Sequence, residues 1–113
     1  MHPSNVLAVL PVDDFPAAES WYRRLFDREP DRRPMSSCAE WQLTDGGAVQ
    51  VIALPDAPRG VTVVLGADDA DARAAELTAR GIEPRLFTTP DGQFRLASCG
   101  DPAGNTVVLG QTL

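Results

Sequence analysis

The residues best placed for acid–base chemistry form two adjacent pairs, Asp13-Asp14 and Asp68-Asp69, each following an apolar run. Two neighbouring carboxylates can share a proton and act as an acid–base dyad. Both pairs, however, stand where an alanine-rich segment with helical periodicity begins, and aspartate is a preferred residue at a helix N-terminus. We therefore interpret both pairs as helix caps and not as a catalytic dyad.

The other reactive side chains are isolated in the sequence. Cys38 and Cys99 are far apart and belong to no C-x-x-C motif, so we expect free, small and partly buried thiols. The one histidine, His2, lies beside the N-terminus, where chains fray. Glu40 is the carboxylate we single out as a general base, on condition that burial raises its pKa.

Composition and charge restrict the classes of partner. The 113 residues suffice for a single domain, residues 1–113, and 43% hydrophobic with 23% charged residues is typical of a globular chain. A net charge of -6 disfavours nucleic acid and favours a cationic small molecule. No run of about 18 apolar residues and no signal peptide is present, so we expect no membrane contact and a cytoplasmic location.

The order of elements repeats along the chain. Each half has an apolar strand, an aspartate-capped helix and three further strands, with the only linker-like stretch at residues 55–60. The interval from Asp14 to Asp69 also separates Leu7 from Thr62. The sequence therefore predicts an α+β fold with two tandem βαβββ modules, at about 4–54 and 60–113. Together they would form a curved mixed sheet with an open cup and with the helices on its outer face.

Three motifs carry a resemblance to a known family. They are "VDDFPAAESWY" at residues 12–22, "DDADARAAELTARG" at 68–81 and "GDPAGNTVVL" at 100–109. Together they resemble the vicinal oxygen chelate superfamily, which includes glyoxalases, extradiol dioxygenases and bleomycin-resistance proteins. The D-P-x-G-N turn before the last strand is the most specific of the three. The resemblance covers nearly the whole chain and implies the fold more strongly than any activity.

The resemblance also implies where a metal would bind. Enzymes of the superfamily hold a divalent cation with a His or Gln seven residues before each capping aspartate and a Glu on the last strand of each module. Those positions fall here on Leu7, Thr62 and Val108, and the fourth falls on Gln50 or Val51. Leucine and valine have no lone pair to donate, and a catalytic site needs about three strong ligands. We therefore expect no metal and no other cofactor.

Strand alternation assigns Leu7, Val9, Thr62 and Val108 to the floor of the cup, and the aromatic and polar residues are candidates for its walls. The predicted ligand-binding residues are mostly apolar or aromatic, with a few hydrogen-bonding groups among them: Leu7, Val9, Glu40, Trp41, Gln42, Gln50, Thr62, Phe87, Phe94, Ser98 and Val108. An apolar concavity with a few polar groups is typical of a small-molecule site. Together with the resemblance, this predicts a metal-free protein of the bleomycin-resistance type that sequesters a cationic or aromatic molecule.

Two other functions stay open at this point. One is a metal-independent isomerase or lyase that uses Glu40 or another buried carboxylate. The other is a regulatory or assembly module whose open face binds a partner. The resemblance further implies a homodimer in which modules of both chains build two cups, although a single chain can also pair its own modules.

Overall fold

A computed structural model describes all residues, 1–113, and the first half contains one helix and four strands. The elements of this half, module 1, are β1 (Val6–Val12), α1 (Phe15–Phe26), β2 (Arg32–Met35), β3 (Cys38–Thr44) and β4 (Gly47–Ala53). Module 2 repeats the order with β5 (Thr62–Gly66), α2 (Ala70–Ala79), β6 (Arg85–Thr88), β7 (Phe94–Gly100) and β8 (Thr106–Thr112). The predicted βαβββ modules are confirmed.

Each module contributes its own four-stranded mixed sheet. Sheet 1 has the strand order β1-β4-β3-β2 and sheet 2 the order β5-β8-β7-β6. In both, the first strand runs parallel to the last, and the remaining neighbours are antiparallel. Parallel strands need a long connection, and in each module the helix and the two intervening strands supply it. No strand of one sheet pairs with a strand of the other.

Both helices begin as the sequence predicts. Asp14 has an extended backbone and its carboxylate accepts a hydrogen bond from the backbone N–H of Ala17, 3.1 Å away. Asp69 accepts one from the N–H of Ala72 at 3.0 Å. Each carboxylate satisfies a donor that the first helical turn leaves unpaired. The second aspartate of each pair is therefore the helix cap, as predicted. Neither helix is long and apolar enough to cross a membrane.

The two modules share one hydrophobic core. It holds Trp21, Tyr22 and Leu25 from α1 together with Leu77 from α2, and the alternate strand residues that face these helices. Those strand residues are Leu10, Val12, Ala39, Trp41, Val49, Val51, Cys99 and Val107. We call the side of each sheet that carries them its covered face, and the opposite side its uncovered face. Burial of the apolar helix stripes against these faces supplies the main stabilisation.

A polar joint ties module 2 to module 1 beside this core. The buried carboxylate of Asp101 accepts hydrogen bonds from the hydroxyl of Tyr22 at 2.8 Å and from the backbone N–H groups of Ala103 and Asn105, both at 2.8 Å. The side-chain amide of Asn105 donates to the carbonyl of Pro11 at 2.9 Å. Asp101, Ala103 and Asn105 belong to the D-P-x-G-N turn of module 2, whereas Tyr22 and Pro11 belong to module 1. The most specific sequence motif therefore joins the two modules.

The same joint fixes the segment that connects the modules. The side-chain oxygen of Asn105 accepts hydrogen bonds from the backbone N–H groups of Gly60 and Val61 at 3.2 and 3.1 Å. Burial, followed by the nearby charge of Asp101, raises the pKa of Tyr22 far above its ordinary value. The phenol therefore stays protonated and keeps donating to Asp101. Since every buried polar group here has a partner, the joint avoids the cost of unpaired donors.

Candidate functional site

Ten of the eleven predicted binding residues lie on the uncovered faces of the two sheets. The strand register places five on sheet 1, which are Leu7, Val9, Glu40, Gln42 and Gln50. It places five on sheet 2, which are Thr62, Phe87, Phe94, Ser98 and Val108. Strand alternation predicted this side for Leu7, Val9, Thr62 and Val108, and the candidate wall residues other than Trp41 lie on the same side. Their role in ligand binding stays a prediction.

Trp41 is the exception. Its side chain is fully buried on the covered face of sheet 1, where it lies near Tyr22 and Phe26 at ring-centroid distances of 6.1 and 5.5 Å. The indole N–H donates to the backbone carbonyl of Arg28 at 3.0 Å. Trp41 is thus separated from Glu40 and Gln42 by the sheet itself, and it belongs to the core.

Hydrogen bonds organise the uncovered face of sheet 1. The guanidinium of Arg32 donates to the carboxylate of Glu40 at 2.9 Å and to the side-chain oxygen of Gln42 at 2.7 Å. The amide of Gln50 donates to the other oxygen of Glu40 at 2.7 Å. This polar cluster, consisting of Arg32, Glu40, Gln42 and Gln50, is pre-organised because each member is held by another.

The environment of Glu40 corrects the general-base hypothesis. Hydrogen bonds from Arg32 and Gln50 lower the pKa of Glu40, and they outweigh the opposite effect of desolvation. A carboxylate stabilised in its ionised form is a weaker base, whereas the hypothesis required a pKa raised by burial. The two cysteines offer no alternative nucleophile, since both are fully buried and burial raises the pKa of both thiols.

The uncovered face of sheet 2 is apolar and aromatic. Val64 is 63% exposed and Phe94 is 39% exposed. The guanidinium carbon of Arg85 lies 4.8 Å from the centroid of the Phe87 ring, a cation–π arrangement. Leu96 stands opposite Phe87 and extends the same surface. We call this set of Val64, Arg85, Phe87, Phe94 and Leu96 the aromatic face.

Three residues of these surfaces were not among the predicted ones. Arg32 lies on β2, where it pairs with Glu40 of β3. Arg85 and Leu96 have the same strand parity as Phe87 and Phe94, respectively, so alternation alone would have placed them on the uncovered face. To predict that Arg32 pairs with Glu40, one must know the register between β2 and β3. The sequence of the short and irregular β2 does not reveal that register.

The register also identifies the four residues at the superfamily's metal positions. Gln50 pairs with Val9 as Val108 pairs with Val64, so Gln50, and not Val51, is the counterpart of Val108. The four side chains are then Leu7, Gln50, Thr62 and Val108. Two of them are aliphatic, and no three His, Cys, Asp or Glu side chains in the chain are grouped so that they could hold a metal ion. This donor set does not fit a divalent cation.

The structure has two cavities, and neither is lined by all ten of these residues. The smaller, about 280 Å³, lies over sheet 1 and includes Leu7, Glu40 and Gln42. The larger, about 750 Å³, lies between the modules and includes none of the predicted binding residues. The candidate site therefore consists of two open surfaces, one polar and one aromatic, on separate sheets.

Known structures show the same architecture across the whole chain. A glyoxalase/bleomycin resistance protein from Catenulispora acidiphila is 31% identical, with a TM-score of 0.88 over 96% of this chain and 98% of that one. An antibiotic-binding protein from a Streptomyces species, TnmS3, is 25% identical, with a TM-score of 0.77 over 100% of this chain and 97% of the other. A bleomycin-binding protein in complex with bleomycin is 21% identical, with a TM-score of 0.77 over 96% and 98%.

These similarities, together with the paired βαβββ modules, assign the chain to a class. It belongs to the glyoxalase/bleomycin resistance protein family, within the vicinal oxygen chelate superfamily. No protein-family model matches the sequence, and no curated protein matches it. The resemblance recognised in the sequence is thereby confirmed at the level of the superfamily, and some structural relatives bind antibiotics.

Proposed function

We propose that the chain binds and sequesters a small organic molecule with aromatic character, without a metal and without chemistry. The observation that carries the proposal is the composition of the uncovered faces. Sheet 1 offers a fixed polar cluster and sheet 2 an aromatic face, while the metal positions hold Leu7, Gln50, Thr62 and Val108. A few fixed polar groups beside a larger apolar surface are what small-molecule recognition requires.

The chemistry of the two faces suggests how such a ligand would be held. A planar ring would stack on Phe87 or Phe94, and polar substituents would meet Glu40, Gln42 or Gln50. The charge of Glu40 is compensated by Arg32, so the preference for a cationic ligand would come from the overall net charge of -6. The antibiotic-binding relatives support this ligand class, and an antibiotic is the first ligand to test.

A homodimer is part of the proposal. In one chain the apolar side chains of the uncovered faces stay open to solvent, with Leu7 46% and Val9 41% exposed on sheet 1 and Val64 63% exposed on sheet 2. Exposed apolar residues clustered on a face are a feature of interaction surfaces. A second copy that brings its sheet 2 against sheet 1 of the first would enclose a cup with one polar and one aromatic wall.

Calorimetric titration with bleomycin and a panel of cationic aromatic antibiotics tests the binding. We expect at least one compound to bind, and Phe94→Ala to weaken that binding at least tenfold. The matched control is Leu86→Ala, because Leu86 is 37% exposed yet pairs with buried Ala97 on the covered side of sheet 2. Equal losses in the two variants, or turnover of any bound compound, would contradict the proposal.

A further inference from the structure

The largest cavity of the chain passes around the free edge of sheet 2. β5 is the end strand of that sheet, and four consecutive residues of it, 63–66, line the cavity. Because successive residues of a strand point to opposite faces, the cavity reaches both the covered and the uncovered side. Val64 of the aromatic face is part of its wall. The volume is about 750 Å³, within the range of about 300–1,000 Å³ found for small-molecule pockets.

A row of paired residues leads across sheet 2 from the aromatic face to this cavity. Phe87 pairs with Leu96 on the next strand, and Leu96 pairs with Gly110. Gly110 in turn pairs with Gly66, which lines the cavity. A Cβ atom at Gly110 would lie 3.4 Å from side-chain carbons of both Val64 and Leu96, so these two side chains flank the position. Since Gly66 and Gly110 have no side chains, they form a shallow depression, the glycine trough, where another group can approach the backbone closely.

Beyond the edge of β5, the walls of the cavity are apolar. They come from both modules and include Ala8, Leu25, Val63, Leu65 and Leu109. Leu25 is buried in the shared core, and Leu109 packs against that core, so these walls are held from behind. An apolar group entering from the trough would leave water for preformed aliphatic surface, which favours binding.

The charged residues that line the cavity select neither a cation nor an anion. Both signs are present: Asp27, Asp68, Arg73, Glu76 and Arg80. Arg73 lies 3.3 Å from the carboxylate of Glu76, and Arg80 donates to the backbone carbonyl of Leu25 at 3.1 Å. The part of a ligand held in this cavity should therefore be uncharged.

From the trough and the cavity we propose that the ligand of the uncovered faces carries an apolar chain in addition to its aromatic ring. The ring would stack on Phe87 or Phe94, and the chain would follow the glycine trough around the edge of β5 and end against the aliphatic walls. This inference rests on the proposed function. It narrows the ligand class to aromatic molecules with an apolar arm.

Two acridine orange dyes that differ in one alkyl group test the arm. Both have the same planar ring and the same positive charge, and the group on the ring nitrogen is methyl in one and nonyl in the other. Fluorescence titration of the full chain should show the nonyl dye binding more than about tenfold tighter than the methyl dye, because each buried methylene adds to the affinity. Nonyltrimethylammonium, titrated by calorimetry, lacks the ring and should bind at least about tenfold more weakly than the nonyl dye. Equal affinity for the two dyes would overturn the inference.

Two glycine substitutions on the uncovered face of sheet 2 show whether the arm uses the trough. Gly66→Leu places a side chain at the edge of β5, and Gly100→Leu places the same side chain at the opposite end of that face, where Gly100 pairs with Thr106. Neither glycine has a positive φ, and a Cβ atom at either would meet no atom within 4 Å, so both variants should fold. Gly66→Leu should reduce the preference for the nonyl dye to less than about threefold and leave the methyl dye unchanged, whereas Gly100→Leu should retain the preference. The same preference in all three proteins would overturn the route through the trough.

Nuclear Overhauser contacts locate the chain directly. Methylene groups of the nonyl chain should contact the methyl groups of Leu25 and Leu109 in the cavity and not those of Leu86, on the covered side of sheet 2 at its other edge. Contacts to Leu96 alone would leave the chain on the open surface and overturn the inference. Failure of the proposed function gives a different result, since neither dye would then bind, or Phe94→Ala would leave the affinity for the methyl dye unchanged. The inference would fall with it.

Discussion

The uncovered faces of the two sheets occupy equivalent places in the repeat, yet they carry opposite chemistry. Position for position, Val9 and Gln50 in sheet 1 correspond to Val64 and Val108 in sheet 2. The face of sheet 1 is organised by hydrogen bonds around Glu40, and the face of sheet 2 by aromatic and aliphatic side chains around Phe87. The repeat therefore reproduces backbone, caps and core, but not the surface that would meet a ligand.

The turns before the last strands differ in the same way. Asp45, in the turn between β3 and β4, is exposed. Asp101, in the turn between β7 and β8, is 8% exposed and accepts hydrogen bonds from four donors, including the Tyr22 hydroxyl and the Asn105 amide. One copy of the turn is a solvated connection, and the other joins the modules. In this duplicated fold, one copy of the turn has thus acquired a structural role that the other copy lacks.

Asp101→Ala is the strongest test of this contrast. The substitution leaves the donors of Tyr22, Ala103 and Asn105 without their acceptor inside the protein, and unpaired buried donors are costly. We expect a loss of about 3 kcal/mol in the free energy of unfolding, measured by urea denaturation. Asp45→Ala should change it by less than about 0.5 kcal/mol. Similar losses for the two aspartates would mean that the joint does not couple the modules.

The next largest effect concerns association. Light scattering coupled to size exclusion should give the mass of a dimer, and Val64→Asp should give that of a monomer, because it places a charge on the aromatic face. Leu86→Asp serves as the control, since Leu86 is a similarly apolar exposed residue on the covered side of the sheet edge. A monomeric wild-type mass would remove the dimer from the proposed function.

Local patterns predicted most of the fold, and the candidate site only in part. Caps at Asp14 and Asp69, strand alternation and the repeat are properties of short segments, and the structure confirms them. Trp41 was wrongly predicted to bind the ligand together with Glu40 and Gln42, although a strand turns it to the opposite face from both neighbours, where it is buried. The pairing of Arg32 with Glu40 depends on register across an irregular edge strand. An ion pair between two strands, such as Arg32 with Glu40, therefore could not be predicted from the sequence pattern.

Removing the Tyr22 hydroxyl should have a smaller effect on the joint. Tyr22→Phe keeps the ring in the core and loses one hydrogen bond to Asp101, whose carboxylate still accepts from Ala103 and Asn105. We expect a loss of about 1.5 kcal/mol in urea denaturation, the value for a hydrogen bond to a charged group. In the Asp101→Ala background the additional loss should be smaller, which a double-mutant cycle measures. Full additivity would show that Tyr22 and Asp101 act independently.

The smallest effect is the pH dependence of Glu40, which tests whether the polar cluster is held by charge. Because Arg32 and Gln50 lower the pKa of Glu40, its ionised form stabilises the fold above the ordinary glutamate pKa of about 4.3, and that contribution is lost as the pH falls through the lowered value. Glu40→Gln should therefore be less stable than the wild type at pH 7, by up to about 1 kcal/mol, with the difference shrinking under acidic conditions. Glu83→Gln makes the same change of charge at an exposed glutamate and serves as the control. A constant deficit for Glu40→Gln at every pH would indicate lost packing, and the polar face would then owe its order to shape and not to charge.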